Sequence, residues 1–164
     1  MQTRFAALWM LLVVAFAPAV MAGGKAEVKA SVSFHIETEA NDNPKMIFSQ
    51  MTNGQLRYFR RMPEIYTKDV VAFNTCPADG GGEDYGLVFQ LTDNAARRLA
   101  AITNANQGRW LLAQINGRVV DGVLIDTQIN DGFLVIWKGA TLADINVFDK
   151  TLPRIGQKGK KKKK

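Results

Sequence analysis

The stretch Trp110 to Asp126 reads W-L-L-A-Q-I-N-G-R-V-V-D-G-V-L-I-D, two apolar runs separated by Asn116-Gly117. A two-residue turn needs positive φ at both central positions, and Asn-Gly adopts it readily, so the spacing predicts a tight hairpin. Such a hairpin commits its neighbourhood to antiparallel pairing. The first half of the chain reads the same way. Val28, Ala30, Val32, Phe34 and Ile36 alternate with Lys29, Ser31, Ser33, His35 and Glu37, a period of two that predicts a half-buried strand over 28–39. Asn41-Asp42-Asn43-Pro44 is a turn cluster, and Met46 to Met51 is a short apolar run. Thr52-Asn53-Gly54 turns into Gln55 to Met62, Pro63 interrupts the meander, and Thr67-Lys68-Asp69 precedes Val70 to Phe73.

Asn74 to Asp84, N-T-C-P-A-D-G-G-G-E-D, is polar and glycine-rich. Phosphate-binding loops need spaced glycines followed by a lysine or a helix N-terminus. Here Glu83 and Asp84 follow and would repel a phosphate, which leaves a surface loop with a solvated acidic end. Gly86 to Leu91 predicts a strand. Thr92 is placed to cap a helix with Asp93 in its first turn, and Ala95, Leu99 and Ile102 share one helical face. Gly108 suits the stop. After the hairpin come the turn Asn130-Asp131-Gly132, a strand at Phe133 to Lys138, and a short helix over 142–152 ended by Pro153. This order predicts an α+β domain, a largely antiparallel β-sheet with two helices packed on one face.

The ends differ from this body. Arg4 is the only charged side chain ahead of the apolar run Phe5 to Ala17, Pro18 breaks the run, and Val20-Met21-Ala22 offers a small-residue cleavage site. Residues 1–22 therefore read as a secretory signal peptide, with an uncleaved anchor as the alternative. The run falls short of the ~20 apolar residues of a comfortable membrane-spanning helix. At the other end, seven of the 21 basic residues crowd the last eleven positions. The stretch from Lys25 to Pro153 then carries thirteen basic residues against fifteen acidic ones, a balance of −2, which argues against a nucleic-acid-binding face. One domain is expected over 25–153, followed by a lysine-rich tail over 154–164. The tail repels itself and is expected to be disordered. Lys158, Lys160, Lys161, Lys162, Lys163 and Lys164 are candidates for attachment to an anionic lipid or polymer, at ~1 kcal/mol per lysine near an anionic membrane. The alternative is a solubilising end with no partner.

Catalytic chemistry has little to draw on. His35 is the only histidine, placed on the polar side of an alternating strand and read as solvated, and Cys76 is the only cysteine, so zinc ligands are too few. Ser31, Ser33 and Ser49 are the only serines, and none sits in a nucleophile elbow. Asp121, Asp126 and Asp131 are read as solvated turn and strand-edge residues, lacking the dense oxygen set of a calcium loop. An enzyme would need Asp121 or Asp126 gathered near Arg109. Trp110 and Trp137 are expected in the core. Arg57-Tyr58-Phe59-Arg60-Arg61 is a basic-aromatic cluster in which Arg57, Tyr58, Arg60 and Arg61 are candidate partner-binding residues. The alternative packs Tyr58 or Phe59 into the core while the arginines snorkel outward. No cofactor, metal or nucleic acid is expected, and the reading is non-enzymatic.

Leu87-Val88-Phe89-Gln90-Leu91-Thr92, the helix pattern A-A-R-R-L-A-A-I-T, Gly108-Arg109, L-L-A-Q-I-N-G-R-V-V and W-K-G-A-T-L-A-D-I follow one another in order. Together they resemble the head part of the first periplasmic domain of SecD, the accessory subunit of the bacterial Sec export machinery. There a strand and a T-x-x-A-A-x-x-L-A-x-x-T helix lead to G-R-x-L-A-x-x-x-x-G-x-V and then to G-x-x-T-x-x-E-A. Pro63 to Val70 is similar to the P-x-L-T-x-x-D-(I/V) run ahead of that block. The resemblance spans roughly 55–152 and rests on fold-determining positions. Asp144-Ile145 stands where the family often has Glu-Ala. The family's proton translocation belongs to its transmembrane helices and is not carried over. The resemblance implies a SecD head-like fold, a location in the periplasm or cell envelope, and contact with extended polypeptide or Sec-type envelope components. The other expected role is an envelope anchoring protein held to an anionic surface by its lysines.

Overall fold

The structure, a computed structural model, describes residues 30–157. The expected signal peptide, the leader after it and Lys158 to Lys164 lie outside the described residues. The organising element is β1 (Val32–Thr38), with Val32, Phe34, His35, Ile36 and Thr38 all buried. One edge of β1 pairs with β7 (Trp110–Ile115) from Val32↔Ile115 to Ile36↔Leu111. The other edge is shared by β3 (Gln55–Arg60) and the two-residue β4 (Ile65–Tyr66). Glu37 faces Phe59, whereas Phe34 faces Ile65, so the register slips by three residues between the two pairings. They are one antiparallel strand broken around Pro63, which supplies no N–H to the ladder. β2 (Ile47–Thr52) pairs with β3 through a turn in which Asn53 and Gly54 have φ of 49° and 74°. β8 (Arg118–Leu124) closes the other side, giving the order β2-β3-β1-β7-β8.

A second, three-stranded antiparallel sheet holds β5 (Val70–Pro77), β6 (Tyr85–Leu91) and β9 (Phe133–Ala140), in that order. The predicted largely antiparallel architecture is present, with its strands divided between two sheets. Their facing side chains meet in one core. Phe34 of β1 packs edge-on against Phe89 of β6 at 6.2 Å between ring centres, and Phe148 touches both Phe89 and Phe73 at 5.5 Å. All four rings are buried to within 1 %. Edge-to-face pairs of this kind add ~0.5–1.5 kcal/mol beyond the area they bury.

The helices seal this core. α1 (Asp93–Ala105) is capped by Thr92, whose hydroxyl accepts the Ala95 N–H, and it buries Ala95, Leu99 and Thr103. Thr103 donates to the Leu99 carbonyl at 2.8 Å and accepts the Ile129 N–H at 2.9 Å, pinning the connection between β8 and β9. α2 (Leu142–Thr151) starts with a capping box between Thr141 and Asp144 and buries Ile145 and Phe148. Asn116 does more than turn the hairpin. Its Oδ1 accepts the Ser31 N–H and its Nδ2 donates to Asp144, joining the start of β1, the hairpin tip and the head of α2.

Two local expectations change. Asn74 to Pro77 is strand, because β5 continues past Phe73 and pairs with β6 as far as Pro77↔Tyr85, so the loop is only Ala78 to Asp84. Asp84 is half-buried and accepts the Gly139 N–H, which gives its carboxylate a structural partner. Gly139 itself sits at φ +85°, and a Cβ there would lie 2.6 Å from the Val120 carbonyl oxygen. Gly108 has a similar φ of +80° with open space around it. A left-handed non-glycine residue costs roughly 1–2 kcal/mol, so Gly108→Ala is expected to lose about that much in urea unfolding. Gly139→Ala, which adds a backbone clash, is expected to lose about 3 kcal/mol or more. Equal losses in the two variants would show that β8 and β9 do not depend on their close approach.

Candidate functional site

The R-Y-F-R-R cluster is split by the pleat. Phe59 is fully buried beside Phe48. Arg57, on the same face, donates to Glu37 at 2.8 Å and Gln55 at 2.7 Å and lies over the Trp110 ring at 5.1 Å. Arg61 donates to the Ile47 carbonyl at 2.8 Å and the Lys45 carbonyl at 3.3 Å. Arg60 shares the opposite face with Tyr58 and reaches Glu64 at 3.3 Å. The three guanidinium groups thus go to separate sets of partners, none of them shared. Arg109 donates to the Glu37 carbonyl at 3.2 Å and pairs with Glu39 at 3.1 Å, and neither Asp121 nor Asp126 is among its partners. Among the described residues no three His, Cys, Asp or Glu side chains gather as a metal site. The tail lysines lie outside the described residues.

His35 corrects its expectation, being buried where a solvated residue was predicted. The hairpin of β2 and β3 folds over the polar face of β1 and sets Phe48 edge-on to the imidazole at 5.3 Å. Nδ1 lies 2.8 Å from the Arg60 carbonyl and Nε2 lies 2.9 Å from the Ser33 hydroxyl. A carbonyl can only accept, so the neutral ring donates from Nδ1 and accepts the Ser33 proton at Nε2. Burial pushes its pKa below the ordinary value, outweighing the Arg60 hydrogen bond and the Glu64 charge, which act the other way. The unfolded chain therefore takes up a proton first as pH falls through about 6.5. Stability from neutral His35 is complete above that pH and declines below it. The chain is expected to lose stability between pH 7.5 and 5.5, and His35→Asn, whose amide nitrogen takes the place of Nδ1 beside the Arg60 carbonyl, is expected to flatten that slope in chemical unfolding.

The open feature of the fold lies between β8 and β9. Each is paired on one side only, and each ends its sheet. The outer edge of β5 is covered, since Phe73 bonds to Pro153 and Ile155, leaving β9 as the open edge of its sheet. At one end the two strands are laced together. Asp121, predicted solvated, is buried and accepts the Trp137 N–H at 2.8 Å, and Arg118 donates to the Gly139 carbonyl at 3.0 Å. Removing a carboxylate from water is costly unless it is hydrogen-bonded, and Asp121 meets that cost by capping backbone of β9. Towards Leu124 and Phe133 the strands splay around a groove of about 340 Å³. Phe34, Leu111 and Ala113 lie at its floor, and Leu124, Val135 and Trp137 line it from the two strands.

Trp137 also differs from expectation, being 49 % exposed, with Leu124 at 45 % and Trp110 half-buried beneath Arg57. The Trp137 N–H points at β8, so strand alternation puts the N–H and C=O of Val135 on the same free edge. On β8, Ile125 bonds to Arg109 on the β7 side, so the main-chain groups of Leu124 face the groove. Sequence reasoning missed this groove. The only signal was V-L-I running through both parities at the end of β8, where a solvated edge would alternate.

No protein-family model matches the chain, and no curated protein matches it significantly in sequence. Its fold is similar to that of a solved structure described as "Structure and function of a membrane component SecDF that enhances protein export". The TM-score is 0.53 at 15% identity over 76% of this chain, and the match spans 64% of that one. A second structure, SecDF in Super-membrane-facing form, aligns over 71% of this chain and 17% of its own at 18% identity, with a TM-score of 0.49. At such identities the likeness is one of fold: the described residues have a SecD-like α+β fold.

Proposed function

We propose that this domain is a non-enzymatic binding module that works outside the cytoplasmic membrane in connection with protein export. It takes an extended polypeptide into the groove between β8 and β9. The observation that carries this reading is the groove itself, an apolar trough bordered by two strands with unpaired edges. A segment in β conformation gains main-chain hydrogen bonds along such an edge without regard to its sequence, while its apolar side chains leave water. The fold likeness to a membrane component that enhances protein export supports the setting. Tyr58 and Arg60, on the outer face of β3, are the part of the R-Y-F-R-R cluster left to meet an envelope partner.

The test is a titration of purified protein with labelled unfolded secretory polypeptide and a folded control. Binding is expected for the unfolded chain only. Val135→Pro removes an N–H that faces the groove, a placement that edge strands tolerate, and is expected to weaken binding at least about tenfold while circular dichroism is retained. Equal affinity of Val135→Pro and the parent protein would exclude strand addition at β9.

A second reading is supported by how the chain leaves the domain. Arg154 is held by Asp149 at 2.6 and 2.8 Å and lies 4.4 Å over the Phe73 ring, so the lysines that follow start from a fixed point. In this reading they attach the domain to anionic lipid or polymer. Deleting residues 158–164 is expected to release the protein from vesicles rich in anionic lipid, as is raised salt, in a sedimentation assay. Unchanged sedimentation would leave the lysines as a solubilising end.

A further inference from the structure

The groove is not electrically neutral along its length. At its open mouth stand Asp126, just past the end of β8, and Asp131, in the turn before β9. Both residues are exposed, and among the described residues neither carboxylate is in an ion pair. Asp131 uses one oxygen to accept the Phe133 N–H at 3.0 Å, which fixes the turn and holds its second oxygen at the mouth. The closed end differs. There Asp121 is buried and spent on the backbone of Gly122 and Trp137, and Lys138 follows Trp137.

Resting on the reading of the groove as a polypeptide site, we infer that it selects apolar segments bordered by lysine or arginine. The apolar floor and the free main-chain groups of Val135 and Leu124 hold about three residues of extended chain, the short end of ordinary strand pairing, since the N–H groups of Phe133 and Trp137 are already taken by Asp131 and Asp121. The flanking cation is met at the mouth by Asp126 and Asp131. A glutamate at that place meets two like charges instead, so the mouth rejects acidic flanks as well as favouring basic ones. Exposed ion pairs contribute ~0.2–1 kcal/mol each, so the preference is a severalfold bias laid over sequence-tolerant binding.

The experiment compares three labelled peptides sharing the apolar segment L-V-A-V-L and flanked by Lys-Lys, Gln-Gln or Glu-Glu, titrated against the full chain by fluorescence anisotropy. The lysine peptide is expected to bind at least about threefold tighter than the glutamine peptide, with the glutamate peptide weakest. The difference is expected to vanish in the double variant Asp126→Asn, Asp131→Asn and to shrink at ~0.5 M salt, where the Debye length falls below about 5 Å. The substitution Asp131→Asn keeps a side-chain oxygen for the Phe133 N–H, so the turn is retained. Equal binding of the three peptides, or a preference that survives in the double variant, overturns the selectivity while leaving the groove as a polypeptide site. Absence of binding by all three overturns both. If deleting residues 158–164 raises the glutamine peptide to the affinity of the lysine peptide, the chain's own lysines occupy the mouth and the inference falls.

Discussion

The fold depends on the burial of β1 on both faces and along both edges. Its even-numbered side chains Val32, Phe34 and Ile36 enter the core shared with the second sheet, where Phe34 meets Phe89. Its opposite face is covered by the β2–β3 hairpin, which brings Phe48 onto His35. One edge is taken by β7 and the other by the broken strand β3–β4. A strand so enclosed must satisfy each polar group internally, since an unpaired buried donor or acceptor costs about 1–3 kcal/mol. His35 does this at the break, where it bonds to the Arg60 carbonyl beside the interruption at Pro63.

The same economy shapes the gap between the sheets. Two sheets that share a core must end somewhere near each other, and here the meeting edges are β8 and β9. The missing side chain of Gly139 lets the Val120 backbone come close, and Asp121 and Arg118 cap backbone groups of β9. Those contacts hold one end of the gap shut, and the right-handed twist of each sheet carries the strands apart beyond it. The open edges at the far end are what a soluble protein ordinarily blunts with charge or covers with chain, because they invite pairing. The β5 edge is covered in this way by Pro153 to Ile155. The β8–β9 mouth is left open, with the carboxylates of Asp126 and Asp131 beside it.

Where the sequence reading failed, one physical cause recurs. Local alternation and residue type predict a solvated His35 and Asp121 and a buried Trp137, and the structure reverses all three. Alternation states which side chains share a face. It does not state whether a distant hairpin will cover that face, as Phe48 covers His35, or whether a backbone N–H will approach, as Trp137 approaches Asp121. The arginine cluster was legible in its buried part, Phe59, and silent about which carbonyls and carboxylates its guanidinium groups would find.

By itself the sequence determined the order and kind of the elements. Asn116-Gly117 and Asn53-Gly54 adopt the left-handed backbone their turns require, Thr92 and Thr141 cap the helices they precede, and Pro63 breaks the strand it interrupts. These are short-range effects of φ preference, capping and a missing N–H, so a few residues suffice to read them. Tertiary structure alone decided that the strands divide into two sheets, that their free edges meet, and that the meeting leaves an apolar groove. Those outcomes depend on which distant surfaces come together to leave water, and no local pattern encodes the partner.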